Sequence, residues 1–505
     1  MGIVFRQSAK NLIIVAFGAL LGALIMWLST KYITKQALGF TRSVVVNSTI
    51  LSQLLLLGFN STLTVFIHRF AGDSRKTKLL IMLSLAIPAV LYFLFTTFYF
   101  LFRGQVLHHF QKEDVAFMTE YFIWIPLSVL SFIYMTILEQ YLGSQMKVAV
   151  SAFMREILLR VINIAVILLF AFGLISFHAL MVFTILMYLI PTAIFFLLAG
   201  KTKPFGLSFR LRDLSIKEYK ELAGFSWYHF LLSAALILLS LMDSLLLPFY
   251  DHSGFSAAAI YAVASFMLSF LLMPSKAFQP ASFTSLARAF AQNNMEEARD
   301  IFTRASLNVM IPTILIAVVL CCNVDNVVAI IGNGKNYSQV TSVFLILMIG
   351  SVINVATGMN DQVLTIANYY RFNFYLSTFL IVLMFLLLRF SIPRYGVYAA
   401  AFSNSIVLII FNIIKFLFIW KKLHMQPFSK NMLTVVLACL PSLAAGYFLP
   451  HFFTQEHHVY LHTFIDVILR SGVIFIMYAL MLLWLQPSPD LVEYIASIKK
   501  NKRLF

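Results

Sequence analysis

Again and again the chain returns to an apolar run of about twenty residues, long enough to cross the hydrocarbon core of a bilayer as an α-helix. Fourteen such segments follow one another, the first centred on Ala19 and the last on Tyr478. A bilayer offers no partner to a free backbone amide, so spans of this length must satisfy their own hydrogen bonds as helices. With 61% hydrophobic and 11% charged residues, the expected fold is an all-α polytopic membrane protein. The first apolar run continues to Trp27 without an A-x-A-like cleavage site, so it reads as a mature helix.

The net charge of +17 is placed by topology. With the N-terminus inside, inward-facing segments hold 24 of the 37 Lys and Arg, outward-facing segments 8, and the spans themselves 5. That bias fixes the orientation, with both termini on the cytoplasmic side. It makes the basic surplus a topology signal lying against anionic lipid, and excludes nucleic acid as a partner. Cys321, Cys322 and Cys439 sit in apolar surroundings without metal-ligand spacing. His451, His457, His458 and His462 cluster in one segment with no cysteine or acidic pattern to complete a zinc site, so no metal is expected.

An internal repeat organises the rest. A shift of 219 residues lays Arg69 on Arg288 and carries the first six spans onto the seventh to twelfth. Six helices return the chain to its starting side, so the halves are expected as parallel copies, two pseudo-symmetric six-helix lobes with the substrate site between them. The expected domains are residues 1–200, a basic linker 201–220, residues 221–420, two additional spans over 421–488, and a basic amphipathic tail 489–505. Linker and tail both alternate basic with apolar residues, as membrane-surface segments do.

Polar residues recur on single faces of several spans. In the second, Arg42, Thr49, Gln53, Asn60, Thr64 and His68 keep helical spacing and predict a stripe along the whole span. In the eighth, Lys276 and Gln279 share a face with Ser269, and Pro274 and Pro280 predict a bent helix. An ammonium inside an apolar span marks a substrate or ion pathway. The seventh span carries Asp243 on a face with Ser226 and His229; the tenth aligns Asn354 and Asp361. Glu156–Arg160 and Asp466–Arg470 have the i,i+4 spacing of structural pairs. Arg155 and Lys415 have no local partner in sequence and are expected to snorkel from helix ends.

The stretches FRQSAKNLIIVAFGALLGAL, ILSQLLLLGFNSTL, PSKAFQPASFTSLARAF, TGMN at Thr357–Asn360 and IPRYGVYAAAFSNS together resemble the bacterial polysaccharide (Wzx-like) flippases of the MATE and MurJ exporter superfamily. The resemblance spans roughly the first 420 residues by pattern. It implies a non-enzymatic transporter alternating between inward and outward openings, with a polyprenyl-pyrophosphate-linked oligosaccharide as substrate and polysaccharide-assembly machinery as a further partner. The expected substrate cavity is lined by Arg42, Gln53, Asn60, Lys276, Gln279, Asn354 and Asn360. Asp243 and Asp361 are the candidates for coupling to H+, Na+ or the membrane potential, and no cofactor is expected. A MATE-type cation-coupled drug or metabolite antiporter is the alternative. A membrane-embedded polysaccharide polymerase ranks behind it, because the outer loops lack a catalytic constellation.

Overall fold

The computed structural model describes residues 2–145, 148–202, 205–332, 336–449 and 459–488. The expected basic tail and His451, His457 and His458 lie outside the described residues. Among those described, every regular element is helical. Nine helical runs are long and apolar enough to cross a membrane, and two bent pairs raise the number to eleven.

The chain divides into two compact units, Met1–Ala262 with Leu388–Val397, and Val263–Leu387 with Tyr398–Phe505. The division therefore falls inside two helices and not at the basic linker. The first unit contains α1 (Gly2–Tyr32), α2 (Lys35–Leu55), α3 (Phe59–Arg69), α4 (Ser74–Leu101), α5 (Arg103–His108), α6 (Val115–Tyr121), α7 (Trp124–Ser144) and α8 (Val148–Phe153). A π turn, Met154–Leu158, leads into α9 (Leu159–Ala171), followed by α10 (Phe177–Leu186), α11 (Leu189–Gly200), α12 (Ile216–Tyr250) and the start of α13 (Phe255–Leu271). The second holds the rest of α13, then α14 (Met273–Ala291), α15 (Met295–Gly332), α16 (Gln339–Ala356), α17 (Asn360–Ile366), α18 (Tyr370–Leu423), α19 (Lys430–Phe448) and α20 (Val459–Leu485). A kink at Gly396, φ 57°, splits α18 into two runs. Counting those runs separately, and adding α1 and the α8–α9 run, brings the described helices to the fourteen expected segments.

Several helix starts follow from sequence. Asp73 accepts from the Arg75 and Lys76 amides at 3.0 and 3.2 Å, and Ser215 with Glu218 forms a capping box at α12. The second span departs from the expected continuous stripe. It breaks at Leu57 and Gly58, both at positive φ, and α2 and α3 meet at 49°. Gly58, at φ 77°, supplies the left-handed turn. The Ser226 hydroxyl of α12 donates to the Leu57 carbonyl at 2.8 Å, giving a backbone group at the break its partner. The stripe is consequently two shorter faces, Arg42 to Gln53 and Asn60 to His68. The eighth span bends by 45° between α13 and α14. That bend falls at Leu272, leaving Pro274 in the first turn of α14, where its missing N–H is no loss.

The linker packs in part against the first unit: Leu214 is buried and the Phe205 ring lies 5.3 Å from that of Tyr141. Leu207, Phe209 and Leu211 remain exposed beside Arg210 and Arg212.

Candidate functional sites in the two units

Within the first unit, five charged side chains from α2, α7, the π turn and α9 assemble among apolar helices. Arg155 Nη2 lies 2.5 Å from Glu139 Oε2, and Arg160 Nη2 lies 2.5 Å from Glu156 Oε2. Glu156 is within electrostatic reach of Glu139, Arg42 of Arg160, and Tyr188 of both Arg42 and Arg155. The π turn carries Arg155 and Glu156, and such turns, rare inside helices, recur at functional sites. Three guanidinium groups against two carboxylates leave one positive charge in surplus. Arg160 Nη1 is buried with no acceptor among the described residues, a donor available to a ligand or to water.

Arg155, expected to snorkel, is instead ion-paired with a carboxylate from another helix. The i,i+4 spacing of Glu156 and Arg160 indicated their pairing, but not the assembly it joins. Gln53 and Asn60 are half-buried in this unit, and Asn60 Oδ1 is a buried acceptor with no donor among the described residues. Asp243, 2% exposed, accepts from the Tyr261 hydroxyl and from the Ser244 amide at 2.6 Å.

At the far end of α12 the first unit is fastened by a second pair of acids. Buried Asp114 accepts from the Phe255 amide at 2.8 Å through Oδ2 and from Gln36 Nε2 at 2.7 Å through Oδ1. Gly254, at φ 50°, brings its Cα against this carboxylate where a Cβ would collide with it. Asp251 accepts from the Ser253 amide at 2.7 Å and receives a backbone hydrogen bond from Val397. Burial raises the carboxyl pKa of both acids above the ordinary value, against the opposing effect of their N–H donors.

The second unit holds a different arrangement. Lys415, 1% exposed, reaches Asp361 Oδ1 at 2.7 Å, where Asn373 Nδ2 also donates at 3.1 Å. Lys415 therefore does not snorkel; it is buried and paired with the carboxylate proposed for coupling. Beside it runs an amide chain: Asn412 Nδ2 donates to Asn354 Oδ1 at 2.9 Å, and Thr357 donates to Asn412 Oδ1 at 2.9 Å. Asn360, 2% exposed, has neither polar side-chain atom hydrogen-bonded among the described residues. Lys276 is exposed on α14 and Gln279 half-buried; Lys276 has no ion-pair partner among the described residues. Arg470 is buried inside α20, 3.4 Å from Asp466. This is the structural i,i+4 pair that the sequence spacing indicates.

Compared with solved structures, the chain resembles one described as the lipid II flippase MurJ in an inward closed conformation, with TM-score 0.72 and 15% identity over 93% of this chain and 98% of that one. A MOP-superfamily transporter from Pyrococcus furiosus aligns with TM-score 0.57 and 14% identity over 83% of this chain and 95% of its own. The chain has the fold of the MOP-superfamily transporters. A Vibrio cholerae MATE transporter shares the MOP fold with TM-score 0.52 and 17% identity, covering 83% of this chain and 98% of the other. No family model and no curated protein matches the sequence.

Proposed function

We propose that this chain is a flippase that moves a polyprenyl-pyrophosphate-linked oligosaccharide across the bacterial cytoplasmic membrane by alternating access, without covalent chemistry. The observation that carries the proposal is the sign of the charge in the first unit's five-residue cluster. Arg42, Arg155 and Arg160 outnumber Glu139 and Glu156, and Lys276 has no ion-pair partner among the described residues. Guanidinium groups recognise pyrophosphate through paired, charge-assisted hydrogen bonds, whereas a site for cationic drugs calls for surplus carboxylate. The amides Gln53, Asn60, Gln279, Asn354 and Asn360 suit sugar hydroxyls.

In this reading the two six-helix halves rock, with Asp361 and Lys415 as the proton- or ion-coupled pair in one unit and Asp243 with Tyr261 in the other. The membrane potential supplies about 2.3 kcal/mol per charge per 100 mV. The exposed apolar and basic residues of the linker rest on anionic lipid, with the termini cytoplasmic and polysaccharide-assembly enzymes as partners.

The test is accumulation of lipid-linked oligosaccharide on the inner face of cells lacking the protein, with complementation by wild type and by Lys276→Ala at equal abundance. Inner-face accumulation and poor rescue by Lys276→Ala are expected. Normal export in the deletion strain, together with sensitivity to cationic drugs, would instead assign the chain as an antiporter.

A further inference from the structure

The first unit holds a partly open cavity of about 360 Å³ lined by none of the clustered charged side chains. Its lining is dominated by aromatic and aliphatic side chains, among them Phe40, Val44 and Leu51 of α2 and Phe95 and Tyr99 of α4, with Ser43, Asn47 and His109 as its polar members. Phe110 and Phe249 also line it, their ring centroids 4.7 Å apart. The α2 contribution runs from Phe40 to Leu51, about three helical turns or ~16 Å along the axis, so the cavity is elongated. Phe95 and Tyr99 are only half-buried, and their neighbours on α4 present an apolar face outward, with Phe93 70% exposed. On a span, that face meets hydrocarbon.

A largely apolar void of this size forfeits the dispersion contacts of its lining. Its volume is that of a small ligand site, and the fluid at its edge is lipid. We infer that the cavity binds one acyl chain of a membrane phospholipid, entering past α4. The phospholipid is favoured over the carrier of the proposed substrate because the lining contains no Lys or Arg to meet a pyrophosphate. Phe255, whose amide Asp114 holds, and Phe249 both line the cavity. A chain seated there supports the α12–α13 turn from beneath.

The test uses the full-length protein in nanodiscs of phosphatidylglycerol containing a trace of the same lipid with a diazirine midway along one acyl chain. After photolysis, labelled residues are mapped by mass spectrometry. Labelling is expected at Val44, Leu51 or Phe249 as well as at the lipid-facing Phe93. Val44→Trp and Ser43→Leu, which fill the cavity by different routes, should abolish the interior labelling and leave Phe93 labelled. Retained Phe93 labelling also reports that each variant is folded in the bilayer. Labelling confined to the outer face of α4, or interior labelling unchanged in both variants, would overturn the assignment. So would displacement of the interior label by polyprenyl phosphate at a few mole per cent, which would make the occupant the carrier lipid. None of these outcomes depends on transport, so the cavity and the proposed activity stand or fall separately.

Discussion

Removing either partner of the Lys415–Asp361 pair breaks the same 2.7 Å contact, yet the two losses should differ several-fold. The ammonium is 1% exposed and its carboxylate 53%. Asp361→Ala strands a buried cation, with the Phe411 ring, 3.1 Å from its nitrogen, as the remaining interaction; breaking a buried pair in this way costs about 3–5 kcal/mol. Lys415→Met leaves a half-exposed carboxylate that keeps the Asn373 amide, and a linear side chain of similar length fills the space. Its cost should be near that of losing an exposed pair, about 1 kcal/mol or less. The double variant, with no stranded charge, should return to the level of Lys415→Met. Thermal unfolding of the three variants in one detergent at one pH reads the ordering directly. Equal losses in both single variants, or no recovery in the double variant, would refute the claim that the burden of this site lies on the lysine.

Asp243→Asn should impair transport in the complementation assay at unchanged protein abundance; undiminished transport would remove Asp243 from the coupling role. Gly254→Ala places a methyl group against the Asp114 carboxylate at a left-handed position, and should cost about 1–3 kcal/mol, seen as faster hydrogen exchange of the Phe255 amide. Burial raises the Asp114 pKa, so its protonated form is favoured in the folded clamp relative to the unfolded chain. Stability from this group is fully present below the unfolded value and lost as pH rises through the folded one. Exchange at Phe255, corrected for intrinsic rate, should therefore slow as pH falls across that window. Asp114→Asn should flatten the dependence, and a wild-type profile already flat would refute the assignment.

Much of the architecture was legible because its cause is local. Apolar length sets the spans, and Asp73 and Ser215 announce helix starts through their own side chains. The break at Gly58 was not legible as a break, since it depends on Ser226 of a helix far along the chain supplying a donor to Leu57. The charges show the same limit. Glu156 and Arg160 can be paired from their spacing, whereas Glu139 with Arg155 and Asp361 with Lys415 are brought together only by helix packing. Without those partners, Arg155 and Lys415 look like snorkelling cations in sequence. Asn360 could be singled out as a polar residue in an apolar run, but only packing reveals that its amide is buried with no hydrogen-bond partner among the described residues.

The π turn at Met154–Leu158 gives this helix one residue more than the ordinary pitch requires. Deleting Leu158 would let this turn close to ordinary α pitch; the bulge already absorbs that residue's rotation of about 100°, so α8 and α9 would keep their mutual phase. Glu156 and Arg160 would then stand three residues apart instead of four, and Arg155 would shift along the helix against Glu139, while no charge is removed from the chain. The surplus residue thus acts as a spacer, making the meeting of these side chains depend on the length of the sequence as well as its chemistry.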